Sequence, residues 1–171
     1  MNPMKNVLVL LALIFSFIGH AQKFRFKNDG STEYIVKSAD SISAAKLYSR
    51  TLKWIDKNYK SPQDAIKART VNQMIKLDGV MTSAFTIELD SVKSDYDVTY
   101  SLEIHFKRGK YRIKYLHHAI VKNGERPLFK LTDILNKKPE ADDKNWVNHR
   151  QQYESKVQKM LNSLHHYIAR K

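Results

Sequence analysis

The side chains of this sequence that have the types for chemistry are its histidines, a few acids on strand-like segments, and a dense set of lysines and arginines. His117-His118 and His165-His166 invite a metal reading. Neighbours on a strand point to opposite faces, and neighbours on a helix diverge by about 100°, so neither pair closes on one ion. No H-x-x-x-H or H-E-x-x-H spacing is present. The expectation is no metal site. The histidines read as surface groups, with His165 and His166 offsetting the negative end of a helix. Glu103 and His105 share a strand face and have the types of a general acid/base pair. Such a pair needs a concave, water-poor site to tune it, which an open sheet face does not supply. Their predicted cross-strand partners, Lys114 and Arg112, make a salt-bridge lattice the simpler reading, at roughly a few tenths of a kcal/mol per pair. No serine stands in a G-x-S-x-G elbow and no glycine-rich phosphate loop exists. The absence of cysteine removes thiol nucleophiles, thiolate metal sites and lipid attachment through a cysteine. No catalytic motif and no cofactor site emerges.

The basic residues form the better lead. Lys107, Lys110, Arg112 and Lys114 are expected to line one sheet face, with Lys76 nearby and His105 and Glu103 among them. Phe106, Tyr111 and Tyr115 alternate toward the core, so no aromatic is expected to interleave with the cations, which weakens a base-stacking reading. The chain of 171 residues has a formal net charge of +13. Such an excess draws a protein toward anionic surfaces. The plainer alternative is a solvated, solubilising face.

These side chains need elements to hold them. Four segments alternate with period two: 70–77, 83–90, 97–107 and 110–118. In the last two, Val98, Tyr100, Leu102, Ile104 and Phe106 share a face, as do Tyr111, Ile113 and Tyr115. Arg108-Gly109 as a two-residue turn pairs Lys107 with Lys110, Phe106 with Tyr111, Ile104 with Ile113, Leu102 with Tyr115, Glu103 with Lys114 and His105 with Arg112. A one-residue slip would turn every core residue outward. An Asp78-Gly79 turn in the preceding hairpin leaves Phe85, Ile87 and Leu89 facing water, which calls for a bulge or longer loop between Gly79 and Ala84. At the N-terminal end, alternation over 23–27 and 33–37 around Asn28-Asp29-Gly30-Ser31 suggests a hairpin, with Tyr34 and Val36 on one side.

Two helices complete the pattern. The first runs from about Ser41 to Tyr59, capped by Asp40 or Ser41, with Ala45, Tyr48, Leu52, Ile55 and Tyr59 on its apolar stripe and Leu47 and Trp54 widening it. Ser61-Pro62 ends it, and 63–69 has room for a further helical turn. The second spans about 143–169, capped by Asp142 or Asp143, with Trp146, Tyr153, Val157, Met160, Leu161, Leu164 and Ile168 on its stripe. Between them, Leu131 to Leu135 has the pattern of one short turn. The fold class is α+β: an antiparallel sheet with two helices packed on one face, in β-α-β4-α order.

Residues 1–21 read as a cleavable export signal. Lys5 supplies the positive region, Val7 to Ile18 the apolar core, and Gly19 and Ala21 the small residues at the cleavage site. The apolar run is too short to span a bilayer core of about 30 Å. Cleavage after Ala21 leaves residues 22–171 as a single domain beginning at Gln22, periplasmic or secreted. Its charge is +12, since the leader takes away one lysine and no acid.

Asp29-Gly30, Tyr34-Ile35-Val36, Ala45-Lys46-Leu47-Tyr48-Ser49-Arg50 and Lys53-Trp54-Ile55 resemble the opening of an exported bacterial domain-of-unknown-function family with a TATA-binding-protein-like fold. Tyr100-Ser101-Leu102-Glu103-Ile104 and Gly109-Lys110-Tyr111-Arg112-Ile113 resemble its closing hairpin, and the likeness covers roughly Phe24 to His118. The family implies β-α-β4-α topology and carries no assigned activity. The fold's namesake grips DNA with its sheet, but a shared fold is not a shared function, and export argues against nucleic acid as partner. The expected function is a non-enzymatic cell-envelope domain that binds an anionic component or a protein through the basic sheet face. Two alternatives stand beside it. One is an envelope enzyme using Glu103 and His105, and the other is an assembly component whose partner adds a strand to the sheet edge.

Overall fold

The computed structural model describes residues 23–89, 91–125, 130–136 and 149–170. The leader, Gln22, Asp142, Asp143 and Trp146 lie outside them. In chain order the elements are β1 (Ile35–Ser38), α1 (Ala44–Asn58), α2 (Pro62–Ala65), β2 (Ile66–Thr70), β3 (Met74–Leu89), β4 (Val92–Lys107), β5 (Lys110–Val121), α3 (Leu131–Asn136) and α4 (His149–Ile168). The strands form one antiparallel sheet in the order β1-β5-β4-β3-β2, and the two long helices lie on one face. This is the expected α+β architecture.

The β4–β5 hairpin has the register its alternation predicts, pair for pair from Lys107↔Lys110 to Leu102↔Tyr115. Gly109, at φ +74°, takes the left-handed turn position that glycine fills without strain. Beneath the sheet, α1 contributes Leu47, Tyr48, Thr51, Trp54 and Ile55. From α4 come Tyr153, Val157, Leu161, Leu164 and Ile168, all fully buried. Each such apolar side chain adds about 1.5–3 kcal/mol by leaving water. The helices touch where Trp54 Nε1 donates to Ser163 Oγ at 3.3 Å. No helix among the described residues is long and apolar enough to cross a membrane.

Several expectations need correction. Segments 70–77 and 83–90 are not separate strands. Residues 74–77 and 83–89 fall in one 16-residue strand, β3, while Thr70 ends β2, and Asp78-Gly79 lies in the middle of β3, paired to Ser101 and Tyr100. Gly79 is there for space rather than for a turn: a Cβ on it would approach the Tyr100 ring to 2.7 Å and the Tyr59 ring to 2.9 Å. The irregularity expected between Gly79 and Ala84 is a bulge between Met81 and Phe85, with Ser83 at φ +46°. It rotates the strand so that Ala84 and Phe85 enter the core. The further helical turn expected within 63–69 is α2, and after it the chain forms an additional edge strand, β2, with Val71 exposed in the turn that leads to β3.

Helix α1 begins later than expected, because Ser43 rather than Asp40 or Ser41 caps it, accepting from Lys46 N at 3.2 Å. Ala45 is consequently exposed. Phe24 and Phe26 are buried as the alternation over 23–27 suggests, but that segment is no strand. Its backbone donors go to side chains of α4: Phe24 N to Gln158 Oε1 at 2.6 Å and Phe26 N to Glu154 Oε1 at 3.0 Å. Buried Glu154 also pairs with Arg25 at 2.5 Å and Arg150 at 3.0 Å, and Arg150 returns to the Phe26 carbonyl. The segment is a strap clipped onto α4.

Tyr34 and Val36 share a side, as the alternation predicts, and it is the open side of the sheet. Ile35 alone enters the core, opposite Ile113. The C-terminal end of α4 is met by Arg50, which donates to Ile168 O at 2.9 Å, so His165 is not needed there. His165 Nδ1 instead meets the Tyr111 hydroxyl at 2.6 Å, and burial lowers its pKa, opposite to the effect of a helix C-terminus.

Candidate functional site

The face of the sheet away from the helices is built in rows, because antiparallel pairing sets side chains of one parity shoulder to shoulder across strands. One row runs Val36, Arg112, His105, Met74. The next carries Lys114, Glu103 and Lys76, and a third carries Ser101 and Asp78. At the hairpin end Lys107 faces Lys110. Arg112, Lys107 and Lys110 are exposed, whereas Ile113 and Tyr115 are 1% exposed. All seven residues singled out in the sequence therefore lie on this one face.

Within it, Glu103 Oε1 and His105 Nε2 are 2.5 Å apart. That hydrogen bond, aided by the charges of Lys76 and Lys114, holds the Glu103 carboxyl below the usual range. Glu103 is thus ionised at neutral pH, and its side chain remains about a quarter exposed, at 27%. Tyr34 is the residue of this face that sequence reasoning did not bring to the cations. Its ring stacks on the Arg112 guanidinium at 4.4 Å, approaches the Lys114 ammonium to 5.4 Å and stands edge-on to His105 at 6.4 Å. An aromatic does interleave with the cations. Phe106, Tyr111 and Tyr115 point into the core as expected, and Tyr34 enters the open face from just ahead of the edge strand β1.

A serine, a histidine and an aspartate also meet on this face. The Ser101 hydroxyl donates to Asp78 Oδ1 and lies 2.6 Å from His118 Nε2. A hydroxyl has one proton. With that proton directed at the carboxylate, His118 must be the donor to Ser101 and cannot act as its base. Ser101 is also only 1% exposed. The trio is a polar staple between β3, β4 and β5 and lacks the order of a nucleophilic triad. No sequence spacing announced it, since the three residues come from three strands.

Beside the β4–β5 turn the face is hollowed. A depression of about 540 Å³ is walled by Val36, Gln73, His105, Lys107, Lys110 and Arg112, among others. Lys76, Glu103 and Lys114 lie outside it. Among the described residues no three His, Cys, Asp or Glu side chains gather as metal ligands.

The opposite face carries a second polar group, under the helices. Tyr59 and Tyr100 hydroxyls are 2.8 Å apart, as are those of Tyr115 and Tyr153, and His117 Nδ1 lies 3.1 Å from Tyr153 Oη. Tyr100 and Tyr115 stack at 5.2 Å. Burial raises the phenols far above their ordinary range, so they stay protonated. Burial pushes the His117 imidazole down to about 4, and His118 adds to the effect. A neutral His117 accepts from Tyr153, which accepts from Tyr115, so each of these hydroxyls has a partner.

Residues 34–117 match a family model described as a domain of unknown function (DUF4468) with TBP-like fold. The chain is similar to the crystal structure of a DUF4468 family protein from Bacteroides ovatus ATCC 8483, at 15% identity and a TM-score of 0.56, covering 89% of this chain and 90% of that one. It is also similar to a TBP-like protein from Parabacteroides distasonis ATCC 8503, at 11% identity and a TM-score of 0.51, covering 80% of this chain and 88% of that one. At these identities the likeness concerns the fold. No curated protein matches the chain.

Proposed function

Taking residues 34–117 as a member of the DUF4468 family with its TBP-like fold, we propose that the chain is a non-enzymatic, exported cell-envelope domain that binds an anionic partner through the open face of its sheet. The observation that carries this reading is charge left over. Among the described residues, no carboxylate forms an ion pair with Lys76, Lys107, Lys110, Arg112 or Lys114. A cationic, helix-free face on a chain of net charge +13 attracts polyanions and anionic lipid surfaces. A non-enzymatic role is favoured by the open setting of Glu103 and by the donor order around Ser101. An anionic partner is favoured over an added strand because the unpaired cations stand on the face, not along an edge.

The test is binding to heparin and to phosphatidylglycerol vesicles across a salt series. Binding is expected at low salt, to fall by about tenfold or more on raising salt to the physiological range, and to be lost in the Lys110/Arg112/Lys114 alanine triple variant. A triple variant that binds both ligands as the wild type does would refute the reading.

A further inference from the structure

We propose that the hollow beside the β4–β5 turn is a seat for a phosphate monoester. This rests on the basic-face reading and narrows it to one ligand class at one end of that face. Two cross-strand pairs that follow one another on the open face there are Lys107↔Lys110 and His105↔Arg112. Like charges placed directly opposite, as Lys107 and Lys110 are, destabilise a sheet, and among the described residues no carboxylate pairs with either lysine or with Arg112. The same residues wall the depression of about 540 Å³, with the Gln73 amide beside them.

Arg112 is held for the purpose. Tyr34 covers one flat side of its guanidinium at 4.4 Å, which limits its rotation while leaving the in-plane N–H donors without an acceptor among the described residues. A planar fork of that kind suits two oxygens of one anion. A phosphate monoester brings three terminal oxygens and a charge of about −1.5 to −2, a closer match to Lys107, Lys110 and Arg112 than a carboxylate of single charge. Val36 stands 55% exposed in the same wall and offers the carbon side of an ester an apolar rest.

The experiment is calorimetric titration of the full mature chain in phosphate-free buffer of low ionic strength. The probes are glycerol 3-phosphate, inorganic phosphate and acetate, with vesicles of phosphatidic acid compared against phosphatidylglycerol. Glycerol 3-phosphate should bind at one site per chain and acetate at least about tenfold more weakly. Arg112→Lys keeps the charge but loses the fork, and should weaken glycerol 3-phosphate by about tenfold while heparin binding persists. Lys53→Ala, exposed on α1 and away from the open face, should change it by less than about twofold. Tight soluble monoester binding without a preference for phosphatidic acid supports a soluble ligand, and a phosphatidic acid preference supports a lipid headgroup. Equal affinity in Arg112→Lys and wild type overturns the proposal. If wild type binds heparin but not glycerol 3-phosphate, the hollow is not the seat and only the broader reading survives. If it binds neither, both fall.

Discussion

Of the two adjacent histidines on β5, His118 meets Ser101 on the open face and His117 meets Tyr153 beneath the helices. Their difference in surroundings makes His117 a stability determinant. It stays neutral in the folded protein down to about pH 4, whereas the unfolded chain takes up a proton near 6.5. Between those values the unfolded state holds the extra proton, so folding stability rises with pH there and is fully present above 6.5. His117→Gln should flatten that part of the profile. The urea midpoint of the wild type should drop more steeply than that of the variant as pH falls from 6.5 toward 4, and parallel profiles would show that the imidazole is not the group responsible. The partition of this pair to opposite faces follows from strand alternation alone. Its hydrogen bonds do not, because Tyr153 and Ser101 are brought in by other elements.

Among the elements, α4 and the strap at 24–26 depend on one buried acid. Glu154 is 3% exposed and takes hydrogen bonds from Arg25, Arg150 and the Phe26 amide. Glu154→Gln places an amide donor against two guanidinium groups and should cost about 2–4 kcal/mol, with the Phe26 amide exchanging faster than those of β4. A denaturation midpoint matching wild type would mean the strap is held by its phenylalanines alone. The sequence made the β4–β5 hairpin legible from Lys107↔Lys110 to Leu102↔Tyr115, because local alternation and a glycine turn determine that register without help from distant residues, while the shift at Thr99/Tyr100 left no local mark. Where a partner lies far along the chain, legibility ended. The strap alternates like a strand, yet its donors are consumed by helix side chains more than a hundred residues away. The alternation puts Tyr34 and Val36 on one side, but which side is open is decided only when β5 sets Ile35 opposite Ile113. Asp78-Gly79 looks like a turn until Tyr59 and Tyr100 are seen to need the room. The basic face was readable from parity; its hollow, which requires Gln73 and Val36 from other elements, was not.

For the whole molecule, the export reading predicts a mature protein that starts at Gln22. Mass measurement of the chain recovered from the envelope fraction should show loss of residues 1–21 and, where the new terminus cyclises, a further loss of one ammonia. A product retaining Met1 would remove both the leader and the envelope setting. The strap bears on how such a chain can fold. Phe24 and Phe26 lie against side chains at 153–158, so the front of the polypeptide is completed by its rear. Contacts of that span close slowly. A ribosome releases the front first. For most of synthesis, then, two phenylalanines can meet at best Tyr115 and lack the helix that seals them, and the native state is barred until the last helix has emerged. A chain in that condition is still threadable through a narrow pore, and one cut short before residue 153 would stay unfinished for good.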